Sequence, residues 1–425
     1  MAITIQSQPD EDYKYPAWND LNFVVSSTNT AQSGFKIVAN VKVNGTTVQT
    51  LNLYTYPSTI RSYCNVNKIV QNYITDVYQG VLPSPSIYSN QSLYYVQVTF
   101  QEFYSDPITS PPELKGTPVN SDIIYVWRAA MSLQQIVDAD YQLYQFDSAK
   151  VTGDGLFNFL TPFTNSVNSS FGNVAPTNIP STANILKIKA SQIYSLRYIL
   201  NSVNNITSYI RLGLYDSTKT RTYSTQISLV ALDKTKMYDF AIGTDVLDTH
   251  IWDNPFTLDS NDKYFAILIT SVITTQSKTY FFEIDWTPCN AYENYEVHWL
   301  NRYGGFDSWL FDRRSKSQTE VNQVTHKNNP FNISSPTPTT YQRYVKPHFT
   351  KLSDVLDLNT NNLKVWEYEG LSDLFTSPEV YVKINDAFFS CVVQDKQTFQ
   401  NYKTSDGVFN VNVKLKVDNN QVRQW

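Results

Sequence analysis

Two runs, Phe35–Val43 (FKIVANVKV) and Thr46–Tyr54 (TTVQTLNLY), flank the dipeptide Asn44-Gly45. That pair suits the positive φ angles required at both central positions of a type I′ turn, whose twist matches two antiparallel strands. The segment therefore predicts a β-hairpin, and strand-like runs recur along the chain. Tyr94–Gln101 alternates with period two, as a half-buried strand does. Ile185–Ala190, Gln192–Leu200, Tyr209–Tyr215, Gln226–Leu232, Lys263–Val272 and Lys278–Trp286 follow at short intervals. Six strand candidates without a helix between them mark a β-sandwich or jelly roll. Lys236–Pro255 reads as turns with one possible strand around Phe240.

Composition points the same way. Aromatic residues make up 14% of the chain and charged residues 17%, below the roughly 25% charged usual in soluble domains. Abundant Asn, Thr, Ser, Val and Ile favour strands and turns. With only 13 glycines in 425 residues, the chain lacks the glycine-rich turns and amphipathic crossover helices of a doubly wound nucleotide-binding fold. Few strong helix formers such as Ala and Met argue equally against a helical bundle. The expected fold class is all-β and multi-domain, with β-sandwich or jelly-roll-like domains and one or two short helices.

One segment has helical periodicity. Val66, Ile69, Val70, Tyr73, Ile74 and Val77 fall on one face, which predicts a helix over Asn65–Val77. Leu371–Thr376 reads as a single helical turn. Pro107–Pro118 reads as a proline-rich loop, and turn-rich sequence follows from Lys150 to Thr161. Asn165–Asn184, almost wholly Asn, Ser, Thr, Pro and small residues, reads as a linker. These breaks divide the chain into residues 1–150, an N-terminal β domain with one short helix; 151–288, a middle β-sandwich; and 289–425, a C-terminal β domain. In the last, Glu293–Asn301 and Phe306–Phe311 read as strands joined by Gly304-Gly305. Ser315–Thr340 reads as a polar, mobile stretch. Lys346–Thr350 and Lys364–Tyr368 are strand candidates. Glu379–Ile384 pairs with Phe388–Gln394 across Asn385-Asp386, and Gly407–Val417 closes the chain as an alternating strand.

Net charge is −5, from 33 basic and 38 acidic residues. A broad phosphate-gripping surface would make the chain basic, so direct nucleic-acid binding is not expected. Cys64, Cys289 and Cys391 are odd in number and widely spaced, with neither a disulfide pattern nor a zinc spacing. A reduced, cytosolic birthplace fits them. Met1–Pro16 does not read as a signal peptide. The apolar stretch Phe265–Ile273 is too short to span a bilayer, so no membrane partner is expected.

Reactive constellations are equally scarce. His250, His298, His326 and His348 form neither HxH nor HExxH, and there is no GxSxG elbow or phosphate-cradling glycine loop. Asp138 with Asp140, Glu283 with Asp285, and Glu367 with Glu369 are i,i+2 carboxylate pairs that a glycan-cleaving cleft could use; on strands, such pairs ordinarily line a solvated face. Trp299, Tyr303, Phe306, Trp309 and Phe311 could stack on sugar rings, though packed aromatics of a hairpin core give the same pattern. Arg313-Arg314-Ser315-Lys316 is a basic run that could meet an acidic partner or form a solvated turn. The expectation is a non-enzyme, with no catalytic, cofactor-binding or metal-binding residue and no cofactor.

Several blocks also resemble a known family. These are Asn22–Val43 (NFVVSSTNTAQSGFKIVANVKV), Val66–Val77 (VNKIVQNYITDV), Cys289–Leu310 (CNAYENYEVHWLNRYGGFDSWL), Leu371–Val382 (LSDLFTSPEVYV) and Val408–Arg423 (VFNVNVKLKVDNNQVR). Together they are similar to a virion protein family of tailed phages of Bacteroidetes hosts, the crAss-like phages included. The resemblance implies a ring-forming tail or head–tail connector subunit, assembled in the bacterial cytoplasm and held in the virion by copies of itself and other tail or neck proteins. The alternative is a carbohydrate-binding adsorption protein of the tail, with the middle sandwich contacting a glycan.

Overall fold

The computed structural model describes residues 3–11, 14–75, 78, 88–90, 93–130, 161–163, 175–190, 192–199, 208–229, 237–243, 247, 256–271, 277–287, 293–327, 345–360, 362–385, 387–394 and 410–424. The chain is all-β and forms two compact units. One comprises Met1–Trp286 with Asn301–Asp307, the other Thr287–Leu300 with Ser308–Trp425.

The first unit opens with β1 (Ile3–Ser7), β2 (Lys14–Pro16), β3 (Asn22–Ser27), β4 (Ser33–Val43), β5 (Thr46–Leu53), β6 (Arg61–Asn65), α1 (Asn67–Gln71), β7 (Tyr88–Asn90), β8 (Leu93–Ser105), β9 (Glu113–Asn120) and β10 (Ile124–Trp127). A three-stranded sheet, β1-β3-β6, faces a second sheet ordered β2-β10-β8-β4-β5, with β9 also on β8. Alternation places Ile37, Ala39 and Val41 of β4, and Val96, Val98 and Phe100 of β8, on one buried face. There they share a core with Phe23 and Val25 of the smaller sheet, and the Phe23 and Phe100 rings lie 6.2 Å apart. This is sandwich packing. The β4–β5 hairpin turns as expected, with Asn44 at φ 48° and Gly45 at φ 81°.

Two expectations for this region are corrected. The helix is one short turn rather than Asn65–Val77. Val66, Val70 and Ile74 are buried, but Tyr73 is exposed, and Val77 lies outside the described residues. A continuing helix would aim the Thr75 N–H at the Gln71 carbonyl. It points instead at the Tyr94 hydroxyl, 3.2 Å away, which itself donates to the Thr75 carbonyl. The proline-rich loop is also partly strand. β9 pairs along β8, and Pro118 is tolerated because β9 lies at an edge.

Further along the same unit lie β11 (Ile185–Lys189), β12 (Tyr194–Ile199), β13 (Ser208–Tyr215), β14 (Arg221–Leu229), β15 (Met237–Ile242), β16 (Tyr264–Ser271) and β17 (Tyr280–Asp285). They match the six strand candidates, and β15 lies where the sequence offers a further possible strand around Phe240. A five-stranded sheet runs β11-β17-β16-β13-β14 and a three-stranded sheet β12-β15-β7. Phe282 of β17 stacks on Phe265 at 4.8 Å and meets Tyr194 of β12 at 5.8 Å. On the opposite face, Tyr215, Ala266 and Phe281 pack with Ile179, and the Tyr215 hydroxyl donates to the Pro176 carbonyl at 2.8 Å. Much of this sheet is therefore buried on both faces, which explains near-continuous apolar runs such as FAILI at Phe265–Ile269.

The second unit contains β18 (Tyr295–Leu300), β19 (Phe306–Phe311, of which Ser308 onward belongs here), β20 (Lys316–Lys327), β21 (Val345–Asn359), α2 (Val365–Thr376), β22 (Val380–Ile384), β23 (Ala387–Val393) and β24 (Asn412–Gln424). They form one sheet, β19-β18-β22-β23-β24-β21-β20. Val297, Trp299, Val382, Leu415, Leu356 and Leu358 are buried in it, as are Leu371 and Leu374 of α2. The hairpin β22–β23 is as expected, with Asn385 at φ 50°; Asp386 lies outside the described residues.

Here too the sequence reading needs correction. Lys364–Tyr368 is not a strand but the start of α2, which runs on through Leu371–Thr376. Its first turn is fixed when the Glu367 carboxylate accepts the Lys364 N–H at 2.8 Å, half of a capping box. The polar stretch from Ser315 contains β20, and its remainder lies beyond the described residues.

Candidate interaction surface

β20 reads Lys-Ser-Gln-Thr-Glu-Val-Asn-Gln-Val-Thr-His-Lys, and Thr319, Val321, Val324 and Thr325 supply the β-branched residues that favour extended backbone. It pairs with β21 along its whole length, from Lys316 opposite Asp357 to Lys327 opposite Val345. Thr319 donates to the Asp354 carboxylate at 2.8 Å, and Lys416 of β24 lies 3.4 Å from Glu320. Yet all twelve residues of β20 are exposed. A strand covering a core hides every second side chain; β20 hides none, so it forms a ribbon wet on both faces.

The far side of β20 pairs with no strand among the described residues. An edge of this length, roughly 40 Å at the usual rise per residue, offers a row of backbone donors and acceptors to another chain. Natural edges carry charges, prolines or bulges that discourage such pairing. The bulge lies in the partner strand, at His348 opposite Val324 and Thr325, and β20 itself carries one carboxylate, Glu320, between lysines at its two ends. Between them, Val321 and Val324 are 58% and 44% exposed. A second apolar patch lies on the first unit, where the segment joining β5 and β6 exposes Tyr54, Tyr56 and Ile60.

The other sequence candidates fall elsewhere. Glu283 pairs with Lys263 at 3.2 Å, while Asp285 pairs with Lys189 at 2.7 Å and Lys187 at 3.2 Å. Both carboxylates thus lie in ion pairs on one sheet. Glu367 and Glu369 lie on a helix, not a strand, with Glu367 buried and Glu369 exposed. Asp138 and Asp140 lie outside the described residues, as do His250 and Cys289. His298 is buried in the second unit, its Nε2 2.9 Å from Glu296 Oε1 and its ring edge-on to Phe388. His326 and His348 are exposed, with ring centres 5.9 Å apart on the β20–β21 ribbon. Cys64 and Cys391 are buried, and burial pushes each thiol up to about 12. Among the described residues, no three His, Cys, Asp or Glu side chains are placed to hold a metal ion, and no helix is long and apolar enough to cross a membrane.

The aromatic cluster is largely interior. Trp299 and Phe311 are fully buried and Phe306 nearly so. In the first unit, Phe306 packs on Tyr78 at 4.9 Å and beneath the Arg197 guanidinium at 5.3 Å. Around it runs a buried polar network. Arg197 grips Asp239 and donates to the Gly304 carbonyl at 2.8 Å. Trp127 Nε1 donates to the Tyr303 carbonyl at 2.8 Å. Asn301 Oδ1 accepts the Tyr303 and Gly305 N–H groups, and its amide donates to Asp307 at 2.7 Å. Tyr194 donates to the other Asp307 oxygen at 2.7 Å. Burial, followed by the Asp307 charge, holds that phenol well above its usual range. The Asn-x-x-Gly-Gly-Phe-Asp segment is therefore an internal fastening of the first unit.

Sequence reasoning missed β20, and its alternating Thr319, Val321 and Gln323 was the available signal. Polar composition masked it, because a ribbon wet on both faces has no apolar stripe. No protein-family model matches the chain, and no curated protein sequence matches it.

Proposed function

We propose that this chain is a structural subunit of a phage tail or neck, assembled with copies of itself through exposed strand edges and apolar surface. The observation that carries the reading is β20, a twelve-residue strand exposed along its entire length at the edge of a seven-stranded sheet. Twelve residues is a long edge for a chain that stays alone, and the few charges on it leave Val321 and Val324 open to a partner. Addition of a neighbour's strand supplies the missing backbone bonds and covers Val321 and Val324. Repeated head-to-tail contacts of this kind close into rings when the rotation between subunits allows. The resemblance of the terminal blocks to virion proteins supports the same reading, and the exposed Tyr54, Tyr56 and Ile60 offer a second contact.

Mass measurement and electron microscopy of the purified chain, alone and with the other tail proteins, test this reading. Rings or defined oligomers are expected, and Val321→Lys with Val324→Lys should abolish them while leaving the melting temperature unchanged, because both side chains are solvent-exposed. A chain that stays monomeric with every virion partner, or a double variant that assembles normally, would overturn it. Selective glycan binding by such a monomer would favour the adsorption alternative.

A further inference from the structure

The strand β20 begins at a cleft in the second unit of about 530 Å3, lined by Arg313, Arg314, Lys316, Asn359, Thr360 and Asn410. Its lining holds three cations, three neutral hydrogen-bonding side chains, and neither a carboxylate nor an apolar side chain. The chain as a whole carries net −5, so this concentration of positive charge runs against its average. The turn that presents the cations is held in place from below. Asn359 Nδ2 donates to the Arg314 carbonyl at 2.8 Å, and Ser315 Oγ donates to the Arg313 carbonyl at 3.0 Å. Thr360 Oγ1 accepts the Val411 N–H at 2.9 Å and donates to Asn410 Oδ1 at 3.3 Å, fixing the opposite wall.

Nearby acids do not cancel the site. Asp312 reaches Arg313 Nε only at 3.6 Å, in an exposed pair, which is weak. Asp357 lies across from Lys316 in the strand register but also across from Lys414. Arg314 and Lys316 line the cleft, and the bonds named above leave Asn359 its Oδ1 and Asn410 its Nδ2 for a ligand.

We infer that this cleft binds a carboxylate-rich peptide segment. Guanidinium forks match carboxylates with two parallel bonds, and Asn and Thr side chains can bond the peptide backbone between acidic residues. A nucleic acid fits less well. Its affinity rests on many phosphate contacts along an extended basic track, whereas these three cations fall within the four positions Arg313–Lys316 of an acidic protein. The site shares Lys316, the first residue of β20, but does not require the β20 edge to pair.

The chain itself contains a suitable probe, the acidic run Asp10-Glu11-Asp12 within Gln6–Lys14 (QSQPDEDYK). Titration calorimetry of the full-length protein would use this peptide, its neutral counterpart QSQPNQNYK, inorganic phosphate and a single-stranded oligonucleotide. The acidic peptide should bind and weaken as salt rises, and the neutral peptide should not bind. Arg313→Ala with Arg314→Ala, both exposed, should lose about tenfold or more in affinity, and the double lysine replacement should restore part of it, because lysine keeps charge but not the fork. No peptide binding, equal binding by the double alanine variant, or tighter binding of phosphate or oligonucleotide than of the acidic peptide would each overturn the assignment. Peptide binding in a chain that never assembles would leave this inference standing while the structural-subunit reading fell.

Discussion

Arg197 and Asp239 face each other across β12 and β15, joined by two parallel bonds, Nε to Oδ1 at 2.7 Å and Nη2 to Oδ2 at 3.0 Å. Both residues are almost wholly buried. The third direction of the guanidinium is taken by the Gly304 carbonyl. One side chain thus joins a sheet of the first unit to the turn Asn301–Asp307, whose Gly304 lies 107 residues further on. Such a pair contributes geometric specificity more surely than net stability, because desolvation offsets most of its Coulomb attraction.

Removing one partner should be far worse than removing both. Asp239→Ala leaves the Arg197 charge buried without its counter-ion and is expected to cost about 3–5 kcal/mol. Arg197→Met combined with Asp239→Leu should cost less than either single change, since no charge is left stranded. Urea unfolding of the three variants gives the comparison. A double variant as unstable as the sum of the singles would show that the two side chains act independently and that no stranded charge lies behind the single losses.

The Gly304 position gives a second expectation. Gly304 has φ +85°, and a Cβ there would sit 2.5 Å from the Arg128 carbonyl and 2.7 Å from Trp127 Cδ1. Gly304→Ala therefore combines left-handed strain with overlap against backbone, an expected loss of about 2–4 kcal/mol. Gly45→Ala shares the positive φ, but its Cβ meets only the end of the Tyr95 side chain, which can move aside. It should cost about 1 kcal/mol. Thermal melts that rank the two alike would show that backbone angle alone sets the penalty.

The difference between these glycines also shows what was legible in the sequence. Asn44-Gly45 announces its turn through local chemistry, and the structure has that turn. Gly304-Gly305 announces a turn too, but the reason Gly304 must be glycine lies in Trp127 and Arg128, distant in the chain. The middle strands were readable because β-branched and aromatic runs needed no partner to reveal them. Two kinds of element were not. α1 ends at Gln71, where the Asn72 and Tyr73 N–H groups turn to carbonyls only three residues back, and the Tyr94 hydroxyl then holds Thr75 in place of a helical bond. β20 was lost in a polar stretch because the usual strand signal is one buried face, and this strand has none. The Arg313–Lys316 run was visible as charge, but only the fold places Asn359 and Asn410 around it.

The two described thiols should report on unfolding. Cys64 and Cys391 are buried, and burial lifts each thiol to about 12, far above the pH at which alkylating reagents are used. The thiolate is the reacting species, so neither should be modified in the native protein at pH 8, and both should be modified once urea unfolds their unit. Mass mapping of the two peptides checks this. Rapid native labelling at Cys391 would show that β23 opens locally.

Glu367 sets an expectation for pH. Burial raises its carboxyl above the ordinary value of 4.5, and the Lys364 N–H and charge only partly oppose that rise. The folded unit therefore holds this proton more tightly than the unfolded chain does. The resulting stability is fully present below pH 4.5 and is lost as pH climbs through the raised folded value. Glu367→Gln stays neutral throughout and still accepts the Lys364 N–H, the bond that fixes the first turn of α2. The variant should consequently lack this decline, and its urea midpoint should gain on the wild type as pH rises from 4.5. Below pH 4.5 the two proteins should unfold at similar urea concentrations, since both then carry an uncharged side chain there. Midpoints measured across this range decide the matter. Parallel curves would mean that the Glu367 charge is stabilised in the folded state as well as it is in water, and that its burial does not govern the acid limb of stability.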